Sequence, residues 1–234
     1  MKLDDWHDIK FVKQWDKDPI TGNPTRAEQL EILLAVLKDE YRSGTAILDV
    51  GIGSGIIEQA IFTILPKAYV VGIDYSEAMI RLARQRLQNH KNQCLFLQHD
   101  ITKLNGIVLP KKKYQVAVSV QTLHNLPHNH KKRIFKWLHS VLPKNGLLLI
   151  LDRIALISPK LFSVYQSAWK RLEKIHGGTV VSARTFSEYV KRIKAKGDMP
   201  ATLEEHLAWF REAGFQPACI HLHAHRALFA ARKL

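Results

Sequence analysis

Short apolar blocks alternate with stretches of helical spacing along most of this chain. Thr25 to Leu37 puts Leu30, Leu33, Leu34 and Leu37 on one helical face. Ala46 to Val50 is too short for a helix and reads as a buried strand. Ile56 to Leu65 returns to helical spacing and stops at Pro66. Tyr69 to Asp74 is a second apolar block. Glu77 to Asn89 follows as a helix, capped by Ser76, with Met79, Ile80, Ala83 and Leu87 at helical spacing. The same reading predicts strands over Cys94 to Asp100 and Gln115 to Gln121, a helix over Lys131 to Leu142 and a strand over Leu147 to Leu151. Such alternation implies a parallel sheet with helices on both faces.

The alternation breaks between Ile154 and Pro200. Pro159 to His176 and Thr185 to Lys196 read as two extra helices separated by Gly177-Gly178, and they carry Phe162, Tyr165, Trp169 and Tyr189. An insert after the fifth strand would cap an acceptor site, while some of its aromatics pack it onto the core. Thr202 to Ala213 is the last helix, with Gly214 at its end, and Gln216 to His225 with Ala227 to Arg232 make a closing strand pair. At the other end, residues 1 to 24 carry Trp6, His7, Phe11 and Trp15 among charges before Gly22-Asn23-Pro24 break the chain. This segment is expected to be a lid over the site; a helix packed on the core is the alternative.

Three glycines, Gly51, Gly53 and Gly55, follow the first strand on alternate positions. They allow a tight turn and a close approach of backbone to ligand. Asp74, at the end of the second strand, has the spacing of a carboxylate that binds ribose hydroxyls. The third glycine comes one residue earlier than the dinucleotide fingerprint places it, and Asp49 stands two before the first. An adenosine ligand fits both halves, and the Asp49 spacing favours S-adenosylmethionine (SAM) over NAD.

Four segments in order resemble the class I SAM-dependent methyltransferases: Leu48-Asp49-Val50-Gly51-Ile52-Gly53-Ser54-Gly55, Gly72-Ile73-Asp74-Tyr75-Ser76-Glu77-Ala78-Met79, His99-Asp100-Ile101 and Leu142-Pro143-Lys144-Asn145-Gly146-Leu147. The resemblance covers about residues 25 to 155 and the C-terminal thirty or so. It implies one α/β domain over 1–234: a Rossmann-like, doubly wound, seven-stranded, mostly parallel sheet with a C-terminal reversed hairpin, a lid at 1–24 and a helical cap insert at 154–200. It implies SAM as cofactor. Arg26 would reach the methionine carboxylate, or else pair with Glu28 or Asp5 at the surface. Asp49, Gly51, Gly53, Gly55, Asp74, Tyr75, Ser119 and Gln121 would line the cofactor. Met79 would line the adenine, Asp100 accept from its amino group, and the Ile101 N–H donate to its ring. Many relatives carry an acid where Gln115 stands. A Rossmann-like domain using another nucleotide, or none, is the alternative.

His124, after the fourth strand, is the candidate general base, with a pocket-lining or structural role as the other reading. His176, His206 and His7 are weaker candidates. No metal site is expected: His221, His223 and His225 alternate along a strand with no acid or cysteine nearby in sequence. Cys94 and Cys219 lie far apart and read as packed, reduced thiols. No apolar stretch is long enough to span a bilayer and no secretory signal is visible, so the expected location is the cytoplasm. The formal net charge of +14 suggests an anionic partner. The runs Lys111-Lys112-Lys113, Lys131-Lys132-Arg133 and Lys191 to Lys196 lack the regular aromatic interleaving of a base-stacking platform. The expected function is therefore methyl transfer from SAM to a small-molecule acceptor. The alternative is an RNA-directed, tRNA-modifying enzyme or RNA-binding module, loosely similar to wobble-uridine-modifying relatives at Leu123-His124-Asn125-Leu126 and Trp209 to Phe215.

Overall fold

The structure, a computed structural model, describes residues 6–16, 26–110, 112–177, 181, 183–223 and 225–234. Its strands are β1 (Ala46–Val50), β2 (Tyr69–Asp74), β3 (Cys94–Gln98), β4 (Tyr114–Val120), β5 (Leu147–Arg153), β6 (Phe215–His223) and β7 (Arg226–Lys233). They form one seven-stranded sheet in the order β3-β2-β1-β4-β5-β7-β6, parallel through β5, with β7 antiparallel to both β5 and β6. This is the α/β, Rossmann-like, doubly wound sheet with a reversed terminal hairpin. The order reverses between β1 and β4, and a crevice at such a switch point is where ligands bind in open α/β sheets.

The helices are α1 (Ile9–Asp16), α2 (Arg26–Glu40), α3 (Ile56–Ile64), α4 (Glu77–Arg86), α5 (His128–Val141), α6 (Phe162–His176), α7 (Phe186–Ala195) and α8 (Leu203–Glu212). Alternate residues of each strand feed opposite cores, as a pleated strand requires. In β1, Leu48 and Val50 join Phe135, Phe210 and Phe229 on one face, while Ile47 joins Leu33, Leu37 and Ile61 on the other. Each such side chain, fully buried, contributes about 1.5–3 kcal/mol of hydrophobic stabilisation.

Most element ends differ by one to three residues from the spacing-based reading, and three of the shifts have a plain local cause. α5 starts at His128, because Pro127 at its entrance has a fixed backbone dihedral and gives up no needed donor. α4 ends at Arg86, after which Gln88–His90 forms a separate 3-10 turn; the Leu87 N–H donates to the Ala83 carbonyl and closes the helix. The last strand extends to Lys233, whose N–H donates to the Gly146 carbonyl.

Residues 154–200 leave and rejoin the sheet at one point. Ile154 bridges Ala201 in parallel, and the Ala155 N–H donates to the Ala201 carbonyl at 2.8 Å. Above this neck α6 and α7 have their own small core of Leu156, Phe162, Trp169, Leu172 and Tyr189. At the N-terminal side, Val12 of α1 is fully buried against Ala78, Met79 and Leu82 of α4. The remainder of the segment 1–24 lies outside the described residues, apart from 6–16.

Gly72 in β2 is required by close approach: a Cβ there would stand 2.1 Å from Ile52 Cδ1, in the loop after β1. Gly72→Ala is expected to destabilise by about 1–3 kcal/mol, the scale of overpacking. The loss should shrink when Ile52→Ala is added. Urea unfolding of the two single variants and the double variant measures that coupling.

Candidate functional site

The turn after β1 is held by backbone contacts. The N–H groups of Gly51 and Ile52 both donate to the Ile73 carbonyl, at 2.8 and 3.1 Å. Gly51, Gly53 and Gly55 all have positive φ, in the left-handed region that only glycine enters freely. At Gly51 a Cβ would also lie 2.2 Å from Thr122 Oγ1. Gly53 faces open space, where a ligand can approach the backbone. Gly55 instead lies against Ala83 and Leu87 of the α4 region. It serves helix packing and does not line the cavity.

Asp74 joins the two crossovers. Its Oδ2 accepts from the Gly53 N–H and its Oδ1 from the Ser76 N–H, each at 2.9 Å. Ser76 Oγ in turn accepts from the Met79 N–H, capping α4, and donates to the Trp6 carbonyl. Around this junction lies a cavity of about 380 Å³. Of the residues expected to hold a cofactor, Arg26, Asp49, Gly51, Gly53, Asp74, Tyr75, Met79, Asp100, Ile101 and Gln121 line it. Trp6 and His7 line it too, which puts the described part of the N-terminal segment at its wall. The ring of His7 meets Tyr75 edge-on at 5.0 Å. Asp16, at the end of α1, accepts from Ser54 Oγ at 2.5 Å and pairs with Arg86 at 2.7 Å.

Asp49 and Gln121, on the wall, have unmet hydrogen-bonding capacity among the described residues. Asp49 is buried with Oδ1 unpartnered, and Gln121 has a buried, unpartnered Nε2. Burial, with Asp74 nearby, pushes the Asp49 carboxyl up to about 6. Glu58 of α3, fully buried beside it, is pushed well up by burial and by Asp49. Gln121 has φ +55, a conformation that costs a non-glycine residue of order 1–2 kcal/mol. Such strain concentrates at ligand sites. These features fit SAM. A buried carboxylate suits its amino and sulfonium charges, Arg26 its carboxylate, and the open face of Gly53 a closely approaching ligand.

Of the remaining expected residues, Ser119 and His124 stand off the cavity, and Asp100 has a second role besides lining it. Ser119 is buried and its Oγ donates to the Val50 carbonyl at 2.7 Å, tying β4 to β1. Asp100 Oδ1 accepts from the N–H and Oγ1 of Thr102, so it also shapes its own turn. Burial raises its pKa, but the Thr102 bonds and Lys103 outweigh that and leave it lowered. His124, the expected base, does not line the cavity. It is buried, and its Nδ1 meets Asp152 Oδ1 at 2.5 Å. The acid at the end of β5, visible in the sequence as Asp152, faces this histidine across the sheet end. His206 is buried with Nδ1 on the Thr202 carbonyl, and the His176 side chain lies outside the described residues. Thr122, against Gly51, and Glu58, against Asp49, went unnoticed in the sequence because each gains meaning only through a partner far along the chain.

Residues 47–146 match a family model described as a methyltransferase domain. The chain is 30% identical to the malonyl-[acyl-carrier protein] O-methyltransferase of Bacillus anthracis over 158 residues, 67% of this chain and 55% of that protein. It is 32% identical to the demethylmenaquinone methyltransferase of Chlamydia pneumoniae over 110 residues, 47% of this chain and 45% of that one. The chain thus spans about half the length of these curated relatives. Among solved structures it is similar to magnesium protoporphyrin IX methyltransferase from Synechocystis with bound S-adenosylhomocysteine, with TM-score 0.59 and 17% identity, over 91% of this chain and 84% of that one. The motifs, the strand order and these matches place the chain in the class I SAM-dependent methyltransferase superfamily.

The buried histidines near the cap carry a pH prediction. Burial, then Arg226, Arg153 and Lys196, hold His225 well below the ordinary histidine range; burial also lowers His206. In the fold these imidazoles stay neutral at a pH where the unfolded chain takes up protons. Stability is therefore fully present above the ordinary value near 6.5 and lost as pH falls toward the folded values. The lowered carboxyl of Asp152 adds its own loss only in the range below about pH 4. The raised carboxyls of Asp49 and Glu58 work in the opposite direction over the same range, so the histidine contribution is read as a difference: between about pH 7 and about pH 5.5 the urea midpoint of the wild type is expected to lose more, or gain less, than that of His225→Gln.

Proposed function

We propose that this superfamily member transfers a methyl group from SAM to a small-molecule acceptor enclosed between the switch-point cavity and the α6–α7 insert. The observation that supports it most is the meeting of Arg26, Asp49, Gly53, Asp74 and Asp100 on one cavity wall. When bound, SAM supplies a methyl group on a sulfonium, and transfer is an in-line displacement in which that positive charge disappears. Such chemistry calls for alignment and exclusion of water. Asp74 and the glycine turn would orient the ribose, Asp100 and the Ile101 N–H the adenine, and Arg26 and Asp49 the methionine end. Trp6 and His7, tied down through the Trp6 carbonyl, would close the open side as a lid.

Positive charge gathers at the junction of insert and sheet, which favours an acceptor bearing a negative charge. Arg153 and Arg226 are register partners on β5 and β7. Arg153 pairs with Asp198. Arg226 is buried, its Nε has no partner among the described residues, and burial with Arg153 and Arg26 nearby pushes its pKa down to about 9. Lys196 is lowered by burial and by Arg153. An unpaired buried guanidinium is costly, and an acceptor anion would relieve it. An anionic oxygen attacks a methyl group without a base, which accords with His124 being committed to Asp152 rather than to the cavity.

The second basic run and the insert's aromatics speak against the RNA reading. Lys131 of the second basic run is fully buried and donates from Nζ to the Met199 carbonyl. Its neighbour Lys132 pairs with Glu212 at 3.3 Å and lies over the Trp209 ring. The aromatics of the insert are engaged in its own core.

Calorimetry with SAM and with NADH tests the cofactor: SAM is expected to bind and NADH not. Asp74→Ala is expected to weaken SAM by roughly 1.5–3 kcal/mol, the scale of hydrogen bonds to a charged group; unchanged affinity in a folded variant would place the ribose elsewhere. Incubating the protein and labelled SAM with acidic metabolites, neutral metabolites and total tRNA tests the acceptor. At about 150 mM salt, label is expected in the acidic fraction. Any tRNA binding should be non-specific and vanish at this salt, because phosphate contacts release counterions. Stoichiometric labelling of one tRNA position would overturn the small-molecule reading.

A further inference from the structure

Far along the chain from the glycine turn, the first turn of α2 meets the edge strand β6. His221 and His223 stand two apart on β6, on its half-buried face, next to the β-bulge between Cys219 and His221. Bulges re-aim side chains at sheet edges. Both rings face Glu28 of α2. His221 Nε2 lies 3.8 Å from Glu28 Oε1, and His223 Nδ1 lies 3.5 Å from Glu28 Oε2. One ligand atom from each of the three residues falls within 4.8 Å of the others. The acid absent from the neighbourhood in sequence is thus supplied by a helix nearly two hundred residues earlier. His225 does not take part: it lies between β6 and β7, buried against Trp169 and Tyr189.

We propose that Glu28, His221 and His223 bind a divalent transition-metal ion, Zn2+ in the first instance, which clamps the first turn of α2 to the C-terminal hairpin. Two imidazoles and one carboxylate are a donor set that zinc takes with water in its remaining position. Metal–ligand distances near 2 Å in a tetrahedron put ligand atoms roughly 3.3 Å apart. The observed 3.5 and 3.8 Å separations need only small rotamer changes to reach that spacing. Carbonyl-seeking ions such as Mg2+ and Ca2+ suit this set less well than zinc, cobalt or nickel.

The surroundings support the first ligand. Gln29, next to Glu28, is fully buried; its Nε2 donates to the Arg226 carbonyl at 3.2 Å and lies 3.4 Å from His221 Nδ1. Its Oε1 is buried with no partner. When a metal takes the lone pair of His221 Nε2, the ring proton resides on Nδ1. The Gln29 amide stands beside that nitrogen, where metal-bound histidines commonly have an outer polar contact. The site is distinct from the methyl-transfer chemistry but adjoins it. Arg26, two residues before Glu28, lines the cofactor cavity, so fixing this turn fixes that guanidinium.

The test uses untagged, EDTA-stripped protein and the metal alone. Equilibrium dialysis against Zn2+ is expected to give about one ion per chain, and Co2+ substitution a visible tetrahedral absorption. His221→Ala, His223→Ala and Glu28→Gln should each weaken zinc at least about tenfold, while a His128→Ala/His130→Ala control should not. Zinc should raise the Tm of the wild type and leave the His221→Ala/His223→Ala variant unchanged. Absence of stoichiometric zinc, or zinc binding that survives in the folded double variant, overturns the proposal and leaves a Glu–His ion pair. None of these readouts depends on methyl transfer, so the cofactor assignment stands or falls separately.

Discussion

The hydrogen bonds from Gly53 and Ser76 to the two oxygens of Asp74 are the join on which the site depends. One comes from the turn after β1 and the other from the turn after β2. Without that carboxylate the two turns would present buried N–H groups with no acceptor, each costing about 1–3 kcal/mol. With it, the turns are locked side by side at the sheet's switch point. Burial raises the Asp74 carboxyl while these N–H groups lower it, with the raising effect prevailing. The same acid is thus structural and, with lone pairs remaining, available to a ligand. Asp49 and Glu58 lie in the same buried region, so three acids share one low-dielectric corner. That concentration of carboxyls is unfavourable in an unliganded protein and becomes favourable next to a cationic cofactor.

Most of the sheet was legible because each central strand is a short apolar block closed by a turn residue, and periodicity settles those without help from distant residues. The glycine turn was legible because alternate glycines after a short strand permit the positive φ values that a tight turn needs. Between a base and a structural role for His124, the sequence could not choose, for a clear reason. Its position after β4 is the rim in sequence terms, but its ring direction is set by Asp152 on the neighbouring strand, and no spacing rule links residues on separate strands. The meeting of His221 and His223 with Glu28 was likewise out of reach: both histidines were noted, but Glu28 enters only through the packing of α2 on the sheet edge. Gly55 was read as a ligand glycine from its regular spacing, whereas its missing Cβ makes room for Ala83 and Leu87.

Charge shows the same limit. A count of basic residues cannot tell a phosphate-binding face from inward-turned side chains, and Lys131 demonstrates the difference. Burial pushes its ammonium down to about 8, and its charge goes to the Met199 carbonyl in the neck of the insert. The Met199 N–H in turn donates to the His124 carbonyl at 2.6 Å. A lysine that reads as surface is therefore part of what holds the insert to the loop after β4.

This neck gives the insert a physical route to the cofactor wall. His124 is fixed on one side by Asp152 and on the other by Met199. Two residues before it, Thr122 fills the space left by Gly51. A shift of the insert would thus be felt at the glycine turn through packed groups rather than through a flexible linker. An anion that pairs with Arg226 in the folded chain alone would stabilise that fold by its binding free energy, since whatever binds the folded form alone stabilises it. The cationic junction and the acidic corner carry opposite unmet charge, which the anionic acceptor proposed above and a cationic methyl donor would satisfy together.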